Sequence, residues 1–433
     1  MANEITGEWM YDQLSELFPI CRSITGNGVR QTFDILRRTL PELQIHEIPS
    51  GTLCFDWCIP PEWNIHDAYV IDPDGNKILE FQNNNLHILN YSIPYAGEVS
   101  LKVLKKHLYS IPDKPHAIPY VTSYYERRWG FCIADEELKQ LKSGMYRVFI
   151  DSTLEPGHLT YGDLILPGDS EKEIFISTYT CHPSMANNET SGITVAAALG
   201  KYLADKKNRR FTYRFVFAPE SIGAIAYLSR HLETLRQKVI AGFNVTCVGD
   251  DGTYTYLPSR SGNTLADQAA LHVLKHIYPE FKKCTYLDRG SDECQYCSPG
   301  VDLPFVSIMR TRYGDYPEYH TSKDDLDIVS PQGLFGAFNA IRHAIECVEY
   351  NQIISSKVIG EPQFSKHDLR SSLGVGTNGL SQYYQDISDI MAHSDGKSDL
   401  IEISEKLNRP MWQLLDIVNM LKEKGLLSSR CVN

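Results

Sequence analysis

A chain of 433 residues is too long for one core of ordinary size, so two or three domains are expected. Its 42% hydrophobic and 22% charged residues exclude a disordered chain. A formal net charge of −12 disfavours broad nucleic-acid binding, which needs Lys and Arg to displace counterions from phosphate. The first twenty residues carry early acids and no apolar leader, and no apolar run approaches the roughly 18 residues of a membrane span. With 11 scattered cysteines, this points to reduced thiols and a cytoplasmic location. Cys294 and Cys297 form a single CxxC without a second pair, which reads as two ordinary thiols.

In chain order, Met10, Leu14, Leu17 and Phe18 repeat at helical spacing, and Phe33, Leu36 and Leu40 do so again before Pro41. From 46 to 169 short apolar or alternating runs are broken by Pro, Gly, Asn and Asp, the texture of a β-rich unit. From 170 to 350 strands and helices alternate. Strands are expected at 173–179, 212–218, 239–245 and 303–309, and helices at 191–203, 224–235, 265–277 and 331–348. Such alternation implies a mostly parallel mixed sheet with helices on both faces, and sites at the carboxyl ends of its strands. After 356 come three helical segments and a Lys-Gly-Leu-Leu stretch, the pattern of a winged helix-turn-helix. Its last helix has no Arg-rich face, which favours protein contact, including self-association, over DNA.

Four stretches follow the α/β strands. They are Thr180-Cys181-His182-Pro183-Ser184 running on to Asn187-Asn188-Glu189-Thr190-Ser191-Gly192; Pro219-Glu220-Ser221; Ser291-Asp292-Glu293; and His320-Thr321-Ser322-Lys323-Asp324. Each alone reads as a hydrogen-bonded loop or a helix cap. Together they place two imidazoles and several carboxylates where one sheet edge can gather them.

These stretches resemble the zinc aminopeptidase superfamily, which includes the glutaminyl cyclases. The resemblance covers about 1–45 and 170–350. It implies that His182 and His320 are metal ligands, that Glu220 is the base activating water, and that Ser291-Asp292 is the family's Ser-Asp segment. The departures are Ser184 for the aspartate that orients the first histidine, Asn188 for a bridging Asp, Ser221 for the second Glu of a pair, and Thr246 for a terminal Asp. A pair of divalent ions needs those carboxylates, so one zinc is expected, on His182, His320 and Glu220 with the neutral Asn188 at the bridging position. The missing aspartate at 184 leaves His182 without an orienting carboxylate. Asp292, Glu293 and Arg127 are expected to contact substrate, with Arg22 and Arg128 as further cations for a carboxylate.

The architecture also resembles a narrower group of bacterial proteins that combine an aminopeptidase-like domain, a β-rich inserted domain and a C-terminal winged helix. In this chain they fall at 1–45 with 170–355, at 46–169, and at 356–433. That resemblance implies that Ser221 is ordinary for the group and Asn188 is this chain's own departure. The expected function is aminopeptidase-like, zinc-dependent hydrolysis of a peptide or related amide bond, with a small peptide or an amide-containing small molecule as substrate. The alternative is an inactive exopeptidase-fold binding protein whose winged helix contacts a partner.

Overall fold

Ile174, Phe175 and Ile176 are consecutive and fully buried, and a strand buried on both sides must be covered on both faces. The computed structural model describes residues 4–369 and 382–431. Eight strands form one mixed sheet: β1 (Gln44–Pro49), β2 (His158–Leu166), β3 (Ser170–Tyr179), β4 (Phe211–Ala218), β5 (Val239–Asn244), β6 (Thr255–Leu257), β7 (Lys282–Lys283) and β8 (Phe305–Met309). Their order is β1-β2-β4-β3-β5-β8-β6-β7. The four central strands β4, β3, β5 and β8 are parallel, β1 and β2 run antiparallel to their neighbours, and β6 is antiparallel to β8 but parallel to β7.

Helices α1 (Gly7–Leu17), α2 (Asn27–Thr39), α3 (Ser191–Ala204), α5 (Leu265–Ile277) and α6 (Pro331–Tyr350) pack in one core on one face. Helix α4 (Ile222–Lys238) covers the other face together with the inserted unit. Local chemistry fixes several starts. Thr6 caps α1 by accepting from the Trp9 N–H, a Thr264–Asp267 capping box opens α5, and Ser330 followed by Pro331 opens α6.

The inserted unit is smaller than its sequence texture implied. Strands β1 and β2 pair with each other, and β2 pairs with β4, so both belong to the central sheet. What stands apart is about 50–157, built on a four-stranded antiparallel sheet of Glu62–Ile71, Lys77–Ile78, Tyr95–Ser100 and Met145–Glu155. Short alternating strands look alike in sequence whichever sheet they join, because the pattern records faces and not partners.

The C-terminal unit holds β9 (Gln352–Ser356), α7 (Gln382–His393), β10 (Asp395–Asp399), α8 (Leu400–Leu407), α9 (Met411–Glu423) and β11 (Leu427–Cys431). Strand β9 pairs with β10 and β11, so this unit begins near 352 and not at 356. Its apolar residues, such as Leu400, Ile403, Met411 and Leu414, are continuous with the main core. Buried His272 of α5 clamps it. His272 Nε2 accepts from the Met411 N–H at 2.9 Å, capping α9, while Nδ1–H donates to Glu405 at 2.5 Å. Trp412 stacks on His343 of α6, with ring centroids 4.8 Å apart.

This clamp needs a neutral imidazole. Burial holds His272 below its ordinary 6.5, with Glu405 partly offsetting. A depressed imidazole pKa means stability present above 6.5 and lost as pH falls below it. Protection factors of α8 and α9 amides are therefore expected to drop as pH falls from 7.5 towards 5, by about 1 kcal/mol of opening free energy. The His272→Asn variant is expected to start lower and to lose that slope. A wild-type protection that does not change with pH removes the clamp.

Candidate active site

Strand β3 ends at Tyr179, and a turn carries Cys181 and His182 to the carboxyl edge of the sheet. One π-helical turn, Ala186–Thr190, then leads into α3 and buries both Asn188 and Glu189. Such turns are often found at functional sites. Gly192 lets α3 start hard against β5, since a Cβ there would sit 2.4 Å from the Val245 carbonyl oxygen. Ser221 (φ 60°) turns β4 into α4, and His320 (φ 55°) also sits in the left-handed region. For non-glycine residues that conformation costs energy, and it gathers at sites where the surroundings enforce it.

The two expected imidazoles meet. The rings of His182 and His320 are 5.2 Å apart, and Glu220 Oε2 lies 3.8 Å from His182 Nε2. His182 has a supporting carboxylate after all, and it is Glu189. His182 Nδ1–H donates to Glu189 Oε2 at 3.0 Å, which leaves Nε2 free to face Glu220. Glu189 also accepts from the Cys181 and His182 backbone N–H groups and from Arg22 Nε at 2.6 Å. Ser184 instead donates to the Phe18 carbonyl. The sequence offered one signal for Glu189, an acid seven residues from His182 inside an otherwise apolar or neutral stretch. Its pairing with Arg22 across 167 positions had none.

Arg22 is therefore not a substrate contact, because it is fully buried and bonded to Glu189, Leu17 and His182. Removing its partner strands a buried guanidinium. Glu189→Gln is expected to cost about 3–5 kcal/mol of stability, read by urea denaturation. A loss under about 1 kcal/mol contradicts this account of the pair.

Asn188 Nδ2 donates to the Tyr179 hydroxyl at 2.7 Å, and that hydroxyl donates to the Asn188 carbonyl at 2.7 Å. This fixes Asn188 Oδ1 towards His320 Nε2, which donates to it at 3.1 Å. Thr246 donates to the same Asn188 carbonyl, so the residue at the missing terminal Asp now props the loop. Asp324 accepts from the Asn187 and Asn188 backbone N–H groups and from Tyr316, and so holds the turn. Burial lifts Asp324 to about 6, against those three donors.

The electrostatics follow from burial and neighbours. Burial raises Glu220 above the ordinary carboxylate value, and the His182 charge pulls it back. Burial lowers His182, but the Glu189 hydrogen bond and charge with the Glu220 charge outweigh it, so the net shift is upward. His320 falls well below the ordinary imidazole value through burial, then through the His182 charge.

The other expected contacts divide. Asp292 is buried beside Glu220. Its Oδ1 accepts from the Ser221 N–H at 2.7 Å, its Oδ2 has no partner, and burial and then the Glu220 charge raise its pKa well above the usual range. Glu293 is fully buried and bonded to Asn244, to Tyr313 and to the Gly290 and Ser291 N–H groups, so it holds a loop and does not face substrate. Arg127 is exposed and does not line the cavity, and Arg128 lies over Tyr109.

The cavity itself, about 450 Å³, has His182, His320, Glu220 and Ser221 on its floor. Its walls are aromatic. Tyr120, Tyr124, Tyr125 and Trp57 come from the inserted unit. Tyr120 sits over both imidazoles, 5.0 Å from His182 and 5.2 Å from His320, and its N–H donates to the His320 carbonyl at 2.9 Å.

The groups that could hold a divalent ion here are His182 Nε2, His320 Nε2, Asn188 Oδ1 and Glu220. Two imidazoles, one amide oxygen and one carboxylate suit one ion, and leave a second without anionic ligands. The tightest donor trio at this edge is Cys181, His182 and Glu189, within 4.8 Å of one another, but those atoms are engaged with each other and with Arg22. His182, Glu220 and His320 are not drawn so close.

Residues 11–351 match the family described as "Domain of unknown function (DUF4910)", and residues 352–429 match "winged helix-turn-helix". A Clostridium acetobutylicum protein, "Putative polysaccharide biosynthesis protein with aminopeptidase-like domain", is 41% identical over 402 residues, 93% of this chain and 92% of that one. The crystal structure of a "putative peptidase" from the same organism superposes with a TM-score of 0.89 at 38% identity, over 98% of this chain and 96% of that chain. A zinc aminopeptidase from Bacillus subtilis superposes with a TM-score of 0.58 at 13% identity, over 80% and 95%, which shows a shared fold. With its aminopeptidase-like α/β domain and its C-terminal winged helix, the chain belongs to the DUF4910 family.

Proposed function

We propose that this chain hydrolyses an amide bond in a small molecule, with Glu220 as the proton-transfer group and one divalent ion, zinc, on His182, His320 and the Asn188 amide oxygen. One observation carries the reading. The Glu189 carboxylate locks His182 through Nδ1 and turns Nε2 to the same cavity floor as Glu220 and His320. A carboxylate behind a ligating imidazole is the usual outer support of a metal site. The chemistry such an ion supplies when bound is polarisation of the amide carbonyl.

The protein's own groups do the rest. Burial keeps Glu220 basic enough to take a proton from water and then give it to the leaving nitrogen. Tyr120 and the aromatic walls narrow the approach to the floor. To hold the ion, the neutral His320 ring would carry its proton on Nδ1 in place of Nε2, a change of tautomer that releases no net proton.

The test is metal analysis of protein purified without chelator, beside an assay of amide hydrolysis with and without zinc. Zinc retained or taken up near 1:1, with chelator-sensitive turnover, is the expected result. No zinc uptake and no chelator-sensitive turnover sinks the reading. A second reading, a pocket that binds without reacting, is favoured by the neutral side chains of Asn188, Ser221 and Thr246. The winged helix is read as a protein-contact or docking unit. The start of α9, the part of such a helix that enters a DNA groove, is buried against α5 and α6. Among the described residues no helix is long and apolar enough to cross a membrane.

A further inference from the structure

We propose that the amide cleaved at this site belongs to an N-acylated amino sugar. This rests on the hydrolase reading above and names its substrate class. The cavity lining contains no Lys or Arg, so no ammonium or guanidinium there pairs with a carboxylate or phosphate on the substrate. Its one carboxylate is Glu220, which the reaction needs for water. A peptide's α-ammonium would need a second acid, and the nearest, Asp292, is fully buried beneath the Ser221 N–H. The substrate should therefore be uncharged around its amide.

The mouth says what flanks that amide. Trp57, on the hairpin of Leu53–Cys54 and Trp57–Cys58, is 37% exposed, and Tyr125 is 57% exposed. Their rings stand 6.2 Å apart at 67°, and the Tyr125 hydroxyl donates to the Cys58 carbonyl, which pins the two together. Two aromatic planes meeting at an angle form a corner for a flat, partly apolar ring. A pyranose offers such a C–H face to stack on an aromatic ring, and its rim hydroxyls need polar partners, which Thr122 and Ser221 supply. Ile24 and Ile222 offer apolar wall to a short acyl group.

In the reaction the oxygen of water bonds to the carbonyl carbon, the C–N bond breaks, and Glu220 passes the water proton to nitrogen. The second water proton follows to the same nitrogen, so the products are a carboxylate and the ammonium form of the amino sugar.

The experiment gives the zinc-loaded full chain N,N′-diacetylchitobiose and, in parallel, L-phenylalaninamide, and measures the sugar amine released from the first and the ammonia released from the second. Glu220→Gln, titrated with the same two compounds by saturation-transfer NMR, reads binding without turnover. The expected result is faster release from the sugar, and a KM raised about tenfold in Trp57→Ala at little-changed kcat. Preferred hydrolysis or binding of the phenylalaninamide overturns the proposal, as does sugar binding unaffected by Trp57→Ala. Sugar binding that depends on Trp57, with neither compound hydrolysed, keeps the ligand class and sinks the hydrolase reading alone.

Discussion

Replacing Asn188 by Asp raises zinc affinity by about 100-fold, measured by competition with a chromophoric chelator. The amide oxygen already points at His320 Nε2 from 3.1 Å, so the substitution changes charge more than shape. An anion about 4 Å from a cation gains about 4 kcal/mol at an effective dielectric of about 20. Part of that is cancelled by desolvating a carboxylate at a position that is 1% exposed, and about 2–3 kcal/mol, or about 100-fold, remains. Without metal the same variant is less stable than the parent, because the introduced carboxylate is then a buried charge and loses the bond the amide donates to the Tyr179 hydroxyl. An affinity unchanged within twofold sinks the metal assignment, since no ion would then sit beside residue 188. A rise in both affinity and turnover identifies the native site as a weakened enzyme.

Glu220→Gln lowers kcat by about 10²–10⁴-fold while zinc affinity changes by only a few-fold. The amide keeps the shape and loses the proton-accepting oxygen. A parallel loss of metal would instead make Glu220 a ligand, and the base would have to be sought elsewhere. Stability gives an independent readout. The folded pKa of Glu220 is raised, so its contribution is present below the ordinary 4.5 and is lost as pH rises through the folded value. The neutral glutamine avoids that loss. Its melting temperature relative to the parent is expected to climb between pH 5 and 8. A parent and variant that track each other across that range contradict a raised Glu220 carboxyl.

Much of the fold was legible in the chain. The helix 265–277 has the bounds its apolar spacing and Thr264 cap imply, and the strand at 173–179 lies inside β3. Apolar periodicity and caps act over a few residues, so a sequence carries them directly. Strand partners are not local. Nothing in 44–49 or 158–166 distinguished a strand of the central sheet from one of the inserted unit, and only pairing decided it.

The site divides the same way. Residue type and order were enough to nominate His182, Glu220 and His320, because each follows a strand of one sheet and such strands end at a common edge. The sequence alone also determined what the site lacks, since no folding can put a charge on Asn188, Ser221 or Thr246. Tertiary structure decided what those residues do instead. It brought Glu189 and Arg22 together behind His182, turned the Asn188 amide to His320 through Tyr179, and withdrew Glu293 and Arg22 from any contact with substrate. It also laid Tyr120 of the inserted unit over both imidazoles. The physical reason is one of range. Backbone preference and side-chain chemistry belong to short stretches of chain, whereas a hydrogen bond or a buried ion pair belongs to groups that only the packed core makes neighbours.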